Sequence, residues 1–179
     1  MKKEAGIYVH IPFCDHKCIY CDFYSIIKDD SKAVYLANMK REIDHFARLF
    51  SESHIFRTIY FGGGTPSLVE PEYLGEIITH IKNSFEVAPG AEITMETNPG
   101  TVSAEKLAAF RRQGINRISI GIQSFDPDDL KFPTRIHDAD AAIRTVHDTA
   151  GAGFADISID LIFNLPGQDL TRWKKNLEI

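Results

Sequence analysis

The segment GIYVHIPFCDHKCIYCDF, Gly6 to Phe23, carries all three cysteines of the 179-residue chain, Cys14, Cys18 and Cys21, spaced three and then two residues apart. The apolar run Ile7 to Ile11 reads as a strand and Pro12 ends it, so the thiols fall on a loop at a strand's carboxyl end. Backbone curvature there can aim them at one point. Thiolate sulfur is soft and selects zinc, copper(I) or iron–sulfur clusters. Four-iron clusters take one cysteine per iron, so three cysteines would leave one iron open. Zinc, with His10 or His16 as a fourth ligand, stays open as an alternative, as do unliganded cysteines. Structural zinc sites usually add a distant second pair of ligands, and no distant cysteine pair follows. An odd cysteine count with nothing secretory about the chain argues against a disulfide frame.

Outward from this loop, short apolar runs alternate with longer amphipathic stretches, the rhythm of strand–helix units on a parallel sheet. Strands are expected at Gly6 to His10, Thr58 to Phe61, Ile93 to Glu96, Arg117 to Gly121 and Asp156 to Ile162, with helices at Ser31 to Phe50, Pro71 to Ser84, Ser103 to Gln113 and Ala139 to Ala150. Ser103 with Glu105, Pro71 with Glu72, and the glycines at 114, 151 and 153 are the start and stop signals. Val34, Leu36, Met39, Ile43, Phe46 and Leu49 form the expected apolar face of the first helix, and Leu74, Ile77, Ile78 and Ile81 that of the second. TRWKKNLEI, at the C-terminus, reads as the first turns of a further helix. Five parallel strands would leave an open last edge, so residues 1–179 are expected to be an incomplete α/β domain.

A formal net charge of −5 with acidic and basic residues interspersed gives no electrostatic footprint for nucleic acid or an anionic membrane, so no nucleic-acid partner is expected. No leader-like segment and no run of 18 apolar residues is visible, which makes the cytoplasm the default address.

In parallel strand–helix folds, chemistry gathers at the carboxyl ends of the strands. Strand two ends in YFGGGTPS, where Gly63 and Gly64 can open the backbone amides to a ligand and Thr65 adds a hydroxyl; it lacks the Gly-Lys-Ser/Thr of a phosphate loop. Strand three ends at Glu96 before an Asn-Pro-Gly turn, and strand four in GIQSF, where the Gln123 amide can donate and accept together. Asp160 lies between Ile159 and Leu161 on strand five, so it either faces a site or has a partner. Arg135 and His137 sit in a loop, Tyr8 and His10 share a strand face, and Tyr20 lies between the last two cysteines. His45, His54, His80 and His147 show no partner pattern.

The CxxxCxxC loop following HIPFC resembles the radical S-adenosylmethionine (SAM) superfamily, and the surrounding residues resemble its branch of oxygen-independent coproporphyrinogen III oxidases and HemW-type heme chaperones. That resemblance implies a partial (β/α) barrel of six units, here truncated after about five, followed by a C-terminal domain. It implies a 4Fe-4S cluster on Cys14, Cys18 and Cys21, with S-adenosylmethionine chelated to the fourth iron and cleaved to a 5′-deoxyadenosyl radical. It implies that Tyr8, Tyr20, Gly63, Gly64, Thr65, Glu96, Gln123, Arg135 and Asp160 contact that cofactor. Pro133 and Thr134 stand where similar proteins have Leu-Gly, which alters the approach to Arg135. The oxidases carry a further cysteine two residues after the third ligand, and this chain has Phe23 there. The resemblance therefore favours a heme chaperone, with heme or porphyrin, an electron donor and membrane-bound heme acceptor proteins as partners, over an oxidase that decarboxylates coproporphyrinogen III. A zinc-stabilised, non-enzymatic domain is the third alternative.

Overall fold

Parallel strands joined by helices must bury both sheet faces, and that requirement sets the architecture. The computed structural model describes residues 1–27, 31–132 and 137–179. Its five strands, β1 Lys3–Ile11, β2 His54–Gly63, β3 Val87–Thr97, β4 Arg117–Gln123 and β5 Asp156–Leu161, form one parallel sheet in sequential order, with β1 and β5 as its edges. The sheet does not close, as expected of a partial barrel. Helices α1 Lys32–Phe50, α2 Pro71–Ser84, α3 Ala104–Arg112 and α5 Ala139–Gly151 pack side by side in that order, while α4 Pro127–Lys131 is a single short turn and α6 Leu170–Glu178 ends the chain.

The helix starts follow their capping chemistry. The Ser103 hydroxyl accepts the Lys106 N–H at α3, and Asp138 and Asp169 side chains accept from Ala141 N–H and Arg172 N–H at α5 and α6. Leu74, Ile77, Ile78 and Ile81 are all buried, as their spacing requires. On α1, however, only Leu36, Met39 and Ile43 are buried. At about 100° per residue, Val34 and Leu49 fall well off that stripe, and both are exposed. Phe46 lies on it but lines an apolar groove beside the edge strand β1.

Strands β1, β2 and β3 begin earlier than their apolar runs suggest, because their first residues face solvent or pair across irregular registers, between Ala5 and Gly6 and between Phe56 and Thr58. Phe61, Ile59, Met95, Ile118 and Ile120 are fully buried in the sheet and Leu107 and Phe110 in α3, so one apolar core fixes where every strand's carboxyl end emerges. Among the described residues, no helix is long and apolar enough to cross a membrane.

Candidate cofactor cleft at the strand ends

Each of the five strands contributes to one cleft of about 490 Å³ at the carboxyl edge of the sheet, within the size range of small-molecule sites. Beyond β1 lie Cys14, Cys18, Tyr20 and Cys21; the end of β2 and its turn supply Gly63, Gly64 and Thr65, the end of β3 and its turn Glu96 and Asn98, β4 supplies Gly121 and Gln123, and β5 with the residue after it Asp160 and Ile162. All three predicted thiols and seven of the nine other predicted site residues therefore meet in one place. Arg135 lies outside the described residues.

The cysteine loop is closed by backbone pairing. The Ile26 N–H donates to the Pro12 carbonyl (2.7 Å) and the Cys14 N–H to the Ile26 carbonyl (3.0 Å), so the chain leaves at Cys14 and returns beside its own entry. His10 ties down the return. Its Nε2 lies 2.9 Å from the Tyr24 carbonyl, an obligate acceptor, so Nε2 carries the proton and Nδ1 accepts from the Tyr8 hydroxyl at 3.1 Å.

Burial raises the Cys14 thiol above its ordinary pKa, and the Thr65 and Ser25 hydroxyls partly offset this. Thr65 Oγ1 accepts from Asn98 Nδ2 (3.1 Å), which leaves its own hydrogen to direct at the Cys14 sulfur, 3.6 Å away. Ser25 Oγ is buried beside the same sulfur without a well-directed hydrogen bond of its own. Among the described residues, no three His, Cys, Asp or Glu side chains close on a point that would hold one metal ion.

The glycine turn works differently from its expected role. Gly64 N–H donates to the Ile11 carbonyl (2.7 Å), Thr65 N–H to the Phe13 carbonyl (2.7 Å) and Gly63 N–H to Glu96 Oε2 (3.1 Å). These amides are committed to the protein and are not presented to a ligand. Gly63 is required by its φ of +115°, and Gly64 by close backbone approach, since a Cβ there would stand 2.6 Å from the Phe13 carbonyl oxygen.

Glu96 also accepts from the Tyr60 hydroxyl (2.8 Å), whose pKa burial and this carboxylate push up. Tyr8 does not line the cleft. Its ring stacks on Tyr60 at 6.2 Å, three residues before the end of β1. Asp160 accepts from the Ser119 hydroxyl (3.3 Å) and still lines the cleft, so it has both a partner and an exposure to the site. His137 is buried, with Nε2 3.1 Å from the Ile122 carbonyl, and is not a surface residue. Lys17, Ser25, Thr97 and Asn98 are cleft residues that sequence reading passed over, although the Asn-Pro-Gly turn directly after Glu96 marked the position of Asn98.

The model of the radical SAM superfamily matches residues 8–178. The heme chaperone HemW of Escherichia coli strain K12 is 38% identical over 171 residues, which cover 92% of this chain and 44% of that protein. The oxygen-independent coproporphyrinogen III oxidase of Bradyrhizobium diazoefficiens is 37% identical, covering 92% and 37% respectively. The solved structure of coproporphyrinogen III oxidase (HemN) from Escherichia coli superposes with a TM-score of 0.87 at 28% identity, over 99% of this chain and 41% of that one. The chain thus spans less than half the length of these relatives. With the family's model matched over nearly all its residues, the chain belongs to the radical SAM superfamily.

Proposed function

We propose that this chain is the cofactor-binding core of a HemW-like heme chaperone. Cys14, Cys18 and Cys21 would each bind one iron of a 4Fe-4S cluster, and Tyr20, Gly63, Gly64, Thr65, Glu96, Gln123 and Asp160, with Arg135, would surround S-adenosylmethionine. The observation that carries the cofactor reading is the convergence of three thiols and three strand-end polar side chains on one cleft. When bound, such a cluster supplies an open iron and a low-potential electron for reductive cleavage of the sulfonium. The protein's residues bind and orient: the Glu96 and Asp160 carboxylates accept from ammonium or hydroxyl groups, and the Gln123 amide both donates and accepts. Tyr8 supports this wall through Tyr60.

The choice of chaperone rests on position 23. Phe23 lines the cleft beside the thiols with 64% of its surface exposed, where the oxidases have a further cysteine. Overall identity does not separate the readings, since a HemW and an oxidase match at 38% and 37%. Heme or porphyrin as ligand, an electron donor, membrane-bound acceptors and a cytoplasmic location belong to the same proposal.

The test is anaerobic reconstitution with iron and sulfide, then incubation with reductant and S-adenosylmethionine in the presence of heme or of coproporphyrinogen III. Heme binding with coproporphyrinogen III left intact supports the chaperone. Formation of protoporphyrinogen assigns the oxidase instead, and stoichiometric zinc without acid-labile sulfide assigns the structural domain.

A further inference from the structure

Gln123 has φ +73°, a left-handed backbone that side-chain-bearing residues avoid, and it sits where the β4–β5 register slips between Gly121 and Gln123. It is only 9% exposed and lines the cleft, and its amide makes no hydrogen bond to another described residue. A strained backbone persists only where its surroundings hold it, and here it is held from both sides. The Ile122 carbonyl accepts from His137 Nε2 (3.1 Å), and the Gln123 carbonyl accepts the Ile162 N–H (2.9 Å). Downstream, Asn176 Oδ1 accepts both the Phe125 N–H (2.7 Å) and the Ser124 hydroxyl (3.1 Å).

Asn176 comes from α6, is 4% exposed and does not line the cleft. Its helix is locked by Arg172, which pairs with Asp126 and with the buried Asp129 (2.8 Å). Gln168 also donates to Asp129 at 2.7 Å, and the Ser124 hydroxyl, whose single hydrogen is shared between Asn176 and Asp129, lies 3.1 Å from each. A buried polar network of this kind rigidifies when its members are satisfied.

We propose that Asn176, with His137, is a positioning residue that holds Gln123 in its left-handed conformation and so presents the Gln123 amide to the ligand of the cleft. The proposal rests on the reading above that this ligand is S-adenosylmethionine. Its reach is long, because α6 acts on the cleft without touching it.

The experiment uses the cluster-reconstituted chain with S-adenosylhomocysteine as an inert probe, measured by equilibrium dialysis alongside iron content. Gln123→Ala weakens the probe about tenfold, the worth of one good hydrogen bond. Asn176→Ala weakens it by a similar factor, with iron per chain unchanged. Unfolding in urea supplies a readout that a merely structural role would not move. Glycine carries no left-handed penalty, so Asn176→Ala releases no strain in the Gln123→Gly background. There it should raise the unfolding constant about tenfold more than in the parent. If Gln123→Ala weakens the probe while a folded Asn176→Ala binds it as the parent does, the positioning role is overturned and the cofactor reading stands. If Gln123→Ala leaves the probe unaffected, the cofactor role of Gln123 fails, and the positioning role in binding fails with it. Should Asn176→Ala not fold, His137→Ala removes the donor to Ile122 and is expected to give the same weakening; parent-like binding there overturns the proposal.

Discussion

Replacing Gly64 by alanine puts a methyl group where backbone already stands. The added Cβ would lie 2.6 Å from the Phe13 carbonyl oxygen and 2.8 and 2.9 Å from the Pro12 carbonyl carbon and oxygen. None of these is the end of a flexible side chain, so relief requires the end of β2 to move away from β1. That movement stretches two bonds that join the turns, Gly64 N–H to Ile11 and Thr65 N–H to Phe13, each 2.7 Å. Overpacking costs about 1–3 kcal/mol and each weakened hydrogen bond about 1 kcal/mol, so a loss of roughly 3 kcal/mol is expected. With a urea m-value of about 2 kcal/mol/M, the midpoint falls by about 1.5 M. Cys14 follows Phe13 directly, so iron uptake on anaerobic reconstitution should fall as well. Gly151→Ala is the control. A Cβ at this helix-terminal position meets nothing within 4 Å, and the substitution should stabilise by about 0.4–1 kcal/mol. Equal urea midpoints and equal iron content for the two variants would refute the reasoning, because the close approach of the two turns would then not exist in solution.

Asn116 accepts the Ile93 N–H (2.7 Å) and donates to the Ala91 carbonyl (2.9 Å), so Asn116→Ala should cost about 2–3 kcal/mol in urea unfolding; a cost under about 0.5 kcal/mol would show that the bridge is not made. The Tyr60 hydroxyl is held neutral by burial and by Glu96, which also raises Tyr8 to a lesser degree, so in a spectrophotometric titration Glu96→Gln should bring tyrosine ionisation to lower pH, an effect that Tyr60→Phe should largely remove. Asp126 has its folded pKa depressed, first by its hydrogen bond from Arg172. The unfolded chain therefore takes up this proton first as pH falls. The pair's contribution is complete above the ordinary carboxylate pKa of about 4 and disappears as pH drops through the lower folded value. Asp126→Asn should flatten that acid limb of stability measured by circular dichroism, and an unchanged limb would count against the pair.

The carboxyl ends of the strands were legible because their signals are local. Cys14, Cys18 and Cys21 announce themselves by spacing, and Glu96, Gln123 and Asp160 by polar residues closing apolar runs. The starts of β4 and β5 were legible at Arg117 and Asp156, but those of β1, β2 and β3 were not: β3 opens at Val87, opposite Phe56, and runs through an irregular stretch with Pro89 and Gly90 before regular pairing resumes at Glu92. α4 carries sound start signals in Asp126 and Pro127, but five residues are too few for a helical period to show.

The glycine turn and the Gln123 clamp were illegible for a different reason. Both depend on which backbone passes beside which, and that is fixed only when the whole sheet assembles. Read alone, GGGT shows a turn at a strand end but not the packing of Pro12 and Phe13 against Gly64, which exists only once β1 and β2 lie side by side. Likewise Asn176 looks like an ordinary polar residue in a charged helix, and its 51-residue separation from Phe125 hides the bond that buries it. Residues that touch a cofactor tend to sit where a local pattern breaks. Those that set the angle of such residues break no pattern, and the hydrogen bonds at Asn176 and His137 are where the fold specifies that angle.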